Sequence, residues 1–190
     1  MNDQLSPEEK ETLLNVARES LELGLRGEKL PPLNANTPLL QADGATFVTL
    51  TINRKLRGCI GALEPYQPLL QDVREHALAA AQKDYRFSPV RPEELDKIEI
   101  EISRLTKPVR LEYTDADDLL KKLRPNMHGV VLKDGHRRAT FLPQVWEQLP
   151  DPKVFLSELC AKMGAPSNLW QRKKLDVLIY QVEEFREARK

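Results

Sequence analysis

Cysteine is scarce in this chain of 190 residues: only Cys59 and Cys160 occur, far apart and each inside an apolar run. That usage fits reduced thiols in a cytosolic protein rather than the framework of a stapled secreted domain. Charge of one sign is not in excess either, since 29 Lys and Arg balance 29 Asp and Glu. Without a net positive potential, nonspecific binding to a nucleic-acid backbone is disfavoured. No apolar run approaches the roughly 20 residues that span a bilayer. The start, Asn2-Asp3-Gln4 followed by an amphipathic pattern, lacks the basic and apolar regions of a secretory leader. These absences predict a soluble protein that stays in the cytoplasm, with the nucleus open for a eukaryotic chain. Metal-site spacings such as Cys-x-x-Cys, His-x-x-x-His and paired carboxylate–histidine are missing, as are Gly-x-Gly-x-x-Gly and a Walker-type lysine. We therefore expect no metal and no cofactor.

What is present reads as an α+β chain. Ser6, Pro7 and Glu9 form a capping box, and Leu13, Leu14, Ala17, Leu21 and Leu25 share one helical face that stops near Gly27. The Pro- and Asn-rich stretch from Glu28 to Asp43 reads as a long loop without regular structure, with the length of a lid. From Thr46 to Leu63 the residues predict a hairpin turning at Asn53-Arg54-Lys55, followed by a helix over about 68–82. Ile98, Ile100 and Ile102 alternate with polar residues, as in a strand with one wet face. A further strand is expected around 109–113, then a short helix capped by Asp115. A second hairpin turns at Asp134-Gly135. Helical segments follow through Trp146 and over about 152–163, then a strand over 177–182 and an exposed charged tail from Glu183. Hairpin, proline and helix thus occur twice, which raises an internal duplication as one reading and a common local arrangement as the other.

The segment Leu56-Arg57-Gly58-Cys59-Ile60-Gly61 is the best candidate for chemistry. Period-two alternation puts Arg57, Cys59 and Gly61 on one face, so that a guanidinium would lie near a thiol and favour the thiolate. Gly58 and Gly61 weaken a strand, and their presence points either to a ligand or to another backbone at close range. The plainer account makes them a bulge or bend, with Cys59 a small buried hydrophobe. A nucleophilic Cys59 needs a base, for which His76, His128 and His136 are the candidates, none of them placed beside it by sequence. Asp84 and Arg86, with Glu99, Glu101 and Ser103, could line a cleft or simply pair to fix a loop. Arg137, Arg138 and Gln144 offer anion or amide recognition on the second hairpin, against a default of solvated charge.

The six-residue segment resembles the signature of the AmmeMemoRadiSam protein A family, also called the AMMECR domain. Phe47-Val48-Thr49-Leu50, Asp84-Tyr85-Arg86-Phe87, Ile100-Glu101-Ile102-Ser103, His128-Gly129, Leu142-Pro143-Gln144-Val145, Phe155-Leu156, Leu159-Cys160 and Trp170 agree in order, so the resemblance covers nearly the whole chain. It implies one AMMECR-type domain over 1–190, divisible into lobes of about 1–105 and 106–190, with two similar hairpin-plus-helix repeats sharing one curved, barrel-like, mostly antiparallel sheet. It also implies a Memo-like protein and a radical-SAM protein as partners, and an activity that is not established. Arg138-Ala139-Thr140-Phe141 departs from the glycine- and leucine-rich family sequence at that place. Three functions compete. The favoured one is a soluble binding or accessory protein with a cleft at the motif, taking a small anionic ligand or a partner through Arg57, Gly58, Gly61, Asp84, Arg86 and Gln144. The second is an enzyme with Cys59 as thiolate nucleophile, Arg57 on an anionic group and His128 as base. Nucleic-acid binding is the weakest.

Overall fold

A computed structural model describes residues 4–34 and 36–188; Asn2 and Asp3 of the leader argument lie outside them. The capping box forms as read: Ser6 Oγ accepts from the Glu9 amide and the Glu9 carboxylate from the Ser6 amide, opening α1 (Pro7–Leu25). Gly27 ends the helix region at φ 71°, a left-handed conformation that suits glycine. The following loop is less irregular than its prolines imply, because Thr37 caps a single turn, α2 (Pro38–Gln41).

The first hairpin joins β1 (Asp43–Ile52) to β2 (Lys55–Gly61). Its two linking residues, Asn53 and Arg54, both have positive φ, the geometry that matches strand twist in a tight hairpin. The short β3 (Gln67–Pro68) pairs with the start of β1, and α3 (Leu69–Gln82) follows. A 3₁₀ segment, Pro92–Lys97, leads into β4 (Ile98–Leu105), which pairs antiparallel with β1. Val48, Leu50, Ile100 and Ile102 point to one side and bury against Leu13, Leu21, Leu69, Val73 and Ala77 of α1 and α3. Burying one such leucine or isoleucine is worth about 2 kcal/mol, so this face alone anchors the unit.

Beyond β5 (Val109–Arg110) and α4 (Ala116–Lys122), the second hairpin joins β6 (Gly129–Asp134) to β7 (Arg137–Phe141). Then come α5 (Pro152–Lys162), α6 (Leu169–Arg172), β8 (Asp176–Tyr180) and β9 (Val182–Arg186). Trp146 stacks on Phe155 with centroids 3.6 Å apart, within a core of Leu119, Leu132, Leu159 and Val177.

The α+β class holds, but one shared barrel-like sheet does not. Two separate sheets form among the described residues, in orders β2-β1-β4-β9 and β5-β8-β6-β7, because each hairpin pairs with strands of its own unit. The chain divides into two compact units, one running to Thr106 and resuming at Glu183, the other Lys107–Val182. Both carry a hairpin whose first strand is central, then a helix, then a strand against that central one. The next strand in sequence joins the other sheet: β5 follows β4 but pairs with β8, and β9 follows β8 but lies beside β4.

The exposed tail expected from Glu183 is therefore a strand. Its carboxylates hold it in the first unit: Glu183 accepts from Arg104 at 2.8 Å and from the Leu5 amide at 3.2 Å. Glu187 pairs with Arg18, and its own amide donates to the Ile100 carbonyl at 3.0 Å.

Candidate functional site

The motif strand β2 is an edge strand, and an edge exposes unpaired backbone groups unless something covers them. Here the loop after α3 does so. The Cys59 amide donates to Asp84 Oδ2 at 2.8 Å, and Arg86 Nη2 donates to the Cys59 carbonyl at 3.3 Å. Asp84 and Arg86 are themselves paired two-to-two, Nε to Oδ1 at 2.9 Å and Nη2 to Oδ2 at 2.7 Å. The Asp84 side chain is 2% exposed. Hydrogen bonds from Arg86, helped by the Cys59 and Arg86 amides, outweigh its burial and hold its carboxyl far below the usual range.

Arg57 is not where alternation puts it. Leu50 pairs with Gly58 and Thr51 with Leu56, so Arg57 is the extra residue of a β-bulge. The bulge aims its side chain along the strand edge. There Nε and Nη2 reach both oxygens of Glu94 at 2.8 and 3.1 Å, and Nη1 and Nη2 donate to the carbonyls of Ser88 and Pro89 at 2.9 and 3.3 Å. The Glu94 carboxyl falls to about 2, chiefly through the Arg57 hydrogen bonds. Arg57 thus anchors the loop, and the same bulge moves Leu56 onto the face of Thr51.

The glycines act by closeness of packing. A Cβ on Gly58 would fall 2.1 Å from the Ala80 carbonyl oxygen of α3, and one on Gly61 2.3 Å from the Thr46 oxygen and 2.5 Å from the Phe47 ring. Both meet neighbouring protein atoms, which is the second of the two explanations their presence allowed.

Cys59 is half-buried and reduced, with the Thr49 hydroxyl donating to its sulfur at 3.3 Å. Register sets Cys59, Thr49 and Glu101 in one row across β2, β1 and β4, on the sheet face away from the core. The guanidinium that holds the Cys59 backbone belongs to Arg86, whose side chain is 44% exposed. Its Nη1 bonds to no group among the described residues, and its charge is raised in affinity for the proton first by Asp84 and then, among weaker causes, by Cys59. Tyr85 beside it is 95% exposed.

His128 and Gln144 belong to the second unit. His128 is buried, its Nδ1 accepts from the Arg124 amide at 3.2 Å, and burial with Arg124 pushes its proton affinity down. Gln144 is exposed at the start of the 3₁₀ segment Pro143–Glu147. His136 lies exposed between β6 and β7. The His76 contacts among the described residues do not include Cys59. No group of three or more His, Cys, Asp or Glu among the described residues could hold a metal ion. No described helix is long and apolar enough to cross a membrane.

A cluster missed in the sequence surrounds Asp72 and His76. Asp72 Oδ2 accepts from the Thr46 amide at 2.9 Å, the Thr46 hydroxyl at 2.6 Å and His76 Nδ1 at 3.1 Å. Asp72 and His76 are four apart on a helix beside the stripe residues Val73 and Ala77, a spacing that signals a facing pair.

The AMMECR1 family model matches residues 14–185. A protein of Methanothermobacter thermautotrophicus is 38% identical over 96% of both chains, and protein MK0488 of Methanopyrus kandleri is 35% identical over 98% of this chain and 92% of its own. The crystal structure of the uncharacterized protein PH0010 from Pyrococcus horikoshii superposes with a TM-score of 0.74 at 31% identity, covering 97% of this chain and 94% of that one. With its fold and nearly its full length shared in this way, the chain belongs to the AMMECR1 family.

Proposed function

We propose that the chain is a binding or accessory protein whose ligand contact is the β2 edge where Arg86 stands beside Cys59. One observation carries this reading: Arg57 spends its guanidinium on Glu94 and two carbonyls, whereas Arg86 keeps Nη1 uncommitted among the described residues and 44% of its side chain open. The anion contact therefore passes from Arg57 to Arg86. A carboxylate or phosphate group is the fitting ligand chemistry for a guanidinium edge. Tyr85 supplies an exposed aromatic of the kind that anchors protein partners, and a Memo-like or radical-SAM protein is the partner class implied by the family resemblance.

Titration of the labelled protein with sodium sulfate, followed by the Cys59 and Arg86 amide resonances, tests the anion contact. Saturable shifts should survive Cys59→Ser and vanish in Arg86→Gln. Shifts that persist without Arg86, or are absent from the unmodified protein, would remove the reading. The enzyme alternative makes Cys59 the nucleophile, its sulfur accepting a hydrogen bond from the Thr49 hydroxyl at 3.3 Å. It requires loss of activity in Cys59→Ser, where the binding reading requires none.

A further inference from the structure

Asp72 is fully buried, and among the described residues it takes hydrogen bonds from Thr46, Gln67 and His76 and from no Lys or Arg. Asp72 Oδ2 already accepts from the Thr46 amide and hydroxyl, so the 3.1 Å contact pairs it with a donating Nδ1 of His76, the tautomer in which Nε2 is the acceptor. Nε2 lies 3.4 Å from the hydroxyl of Tyr66, a residue 57% exposed. Gln67 Nε2 donates to that same hydroxyl at 2.9 Å, which turns the phenol proton toward the imidazole. Carboxylate, oriented imidazole and accessible hydroxyl then stand in the order of an activated nucleophile: a base in reach of the hydroxyl, and a third group fixing the base.

We propose that Tyr66 is the reactive end of an Asp72–His76–Tyr66 proton relay, acting on a neutral or cationic acyl compound. The charge preference follows from the cluster itself, in which the carboxyl groups of Asp72 and Glu75 both accept from Gln67 and, among the described residues, no Lys or Arg is bonded. The phenol oxygen adds to the acyl carbon, and its proton moves to His76 Nε2. An O–acyl bond forms, the bond to the leaving group breaks, and the imidazolium returns the proton to that departing group. Asp72 stabilises the imidazolium between the two transfers. Burial, Asp72 and Glu75 raise the Tyr66 phenol above its ordinary proton affinity, so free phenolate is not the source of reactivity. The relay is separate from the Arg86 edge and does not depend on the binding reading. It meets the motif through Thr46, whose carbonyl accepts from the Ala62 amide and borders Gly61.

N-Acetylimidazole, a neutral acyl donor, tests the relay when modified tyrosines are mapped by mass spectrometry. Tyr85, which is 95% exposed and bonded to no imidazole, is the reference within the same molecule. General-base assistance is worth roughly a hundredfold or more, so Tyr66 should acetylate at least about tenfold faster than Tyr85 despite its lower exposure. His76→Gln should bring Tyr66 below Tyr85 while leaving the Tyr85 rate unchanged. Tyr66 reacting no faster than Tyr85 in the unmodified protein would overturn the relay, and that comparison stands even if the variant does not fold. A fast Tyr66 indifferent to His76→Gln would overturn it too. Equal preference for Tyr66 with acetyl phosphate, an anionic donor, would overturn the charge selection.

Discussion

Arg57 on β2 and Arg86 on the loop that covers its edge carry opposite assignments, which shows how a single residue's surroundings decide its role. Arg57 bonds Glu94 through both oxygens with both side chains largely covered, so the pair fixes the 84–94 loop. Glu94 titrates at about 2 in the folded chain, below the ordinary 4.5. A depressed carboxyl contributes stability that is full above its unfolded value and is lost as pH falls through its folded value. Urea unfolding should therefore show stability declining between pH of about 4.5 and about 2, with a shallower decline in Glu94→Gln and a lower stability of that variant at neutral pH. Identical pH dependence in both proteins would contradict the pairing. The residue type of Arg57 was legible in the motif, but its direction was not. One inserted residue breaks the period-two rule, and although Gly58 allowed a bulge, it did not say which side chain the bulge would turn. The Asp72–His76 pairing escaped for a different reason, although His76 itself was a candidate base: the partners Thr46 and Tyr66 come from other elements, and an i, i+4 pair is silent until those are placed.

Elements were read more easily where the signal is local. The Ser6–Glu9 box, the Asn53-Arg54 turn and Asp115 capping α4 all rest on neighbours within a few residues. β9 was missed because Val182-Glu183-Glu184-Phe185 has no alternation, and its fixing contacts, to Arg104 and Leu5, lie far away in sequence. The approach of β2 to α3 was half legible: the glycines signalled closeness without saying to what. Since the atom facing Gly58 is a backbone oxygen at 2.1 Å, it cannot rotate away. Gly58→Ala should cost about 3 kcal/mol by urea denaturation, within the usual range for an overpacked site. A cost under about 0.5 kcal/mol, as at an indifferent surface position, would mean that β2 and α3 are not held at this distance.

The whole molecule is two units, each with its own sheet and core, and the chain crosses between them at both Thr106 and Val182. Stability of the first unit thus depends on the last residues of the chain. The Arg104 side chain is 6% exposed and pairs with Glu183 at 2.8 Å. Removing one member of such a pair costs about 3 kcal/mol. Glu183→Ala should speed hydrogen exchange in β4 and at the start of α1, while β6 and β8 keep their protection. Uniform loss across both sheets would contradict separate units. Family membership and the two hairpins could be anticipated from sequence because they rest on motif and turn chemistry. Two sheets rather than one could not, because the exchange of β5 and β9 depends on pairings between distant strands.

The central functional claim is that Arg86, not Arg57, presents positive charge at Cys59, and the most direct measurement compares alkylation of Cys59 by anionic iodoacetate and neutral iodoacetamide. Cys160, fully buried, is the silent reference. A nearby guanidinium is worth about 1 kcal/mol at a partly solvated site, so the rate ratio of anionic to neutral reagent should fall about fivefold in Arg86→Gln. Arg57→Lys should leave that ratio unchanged. A ratio that follows Arg57 and ignores Arg86 would contradict the account.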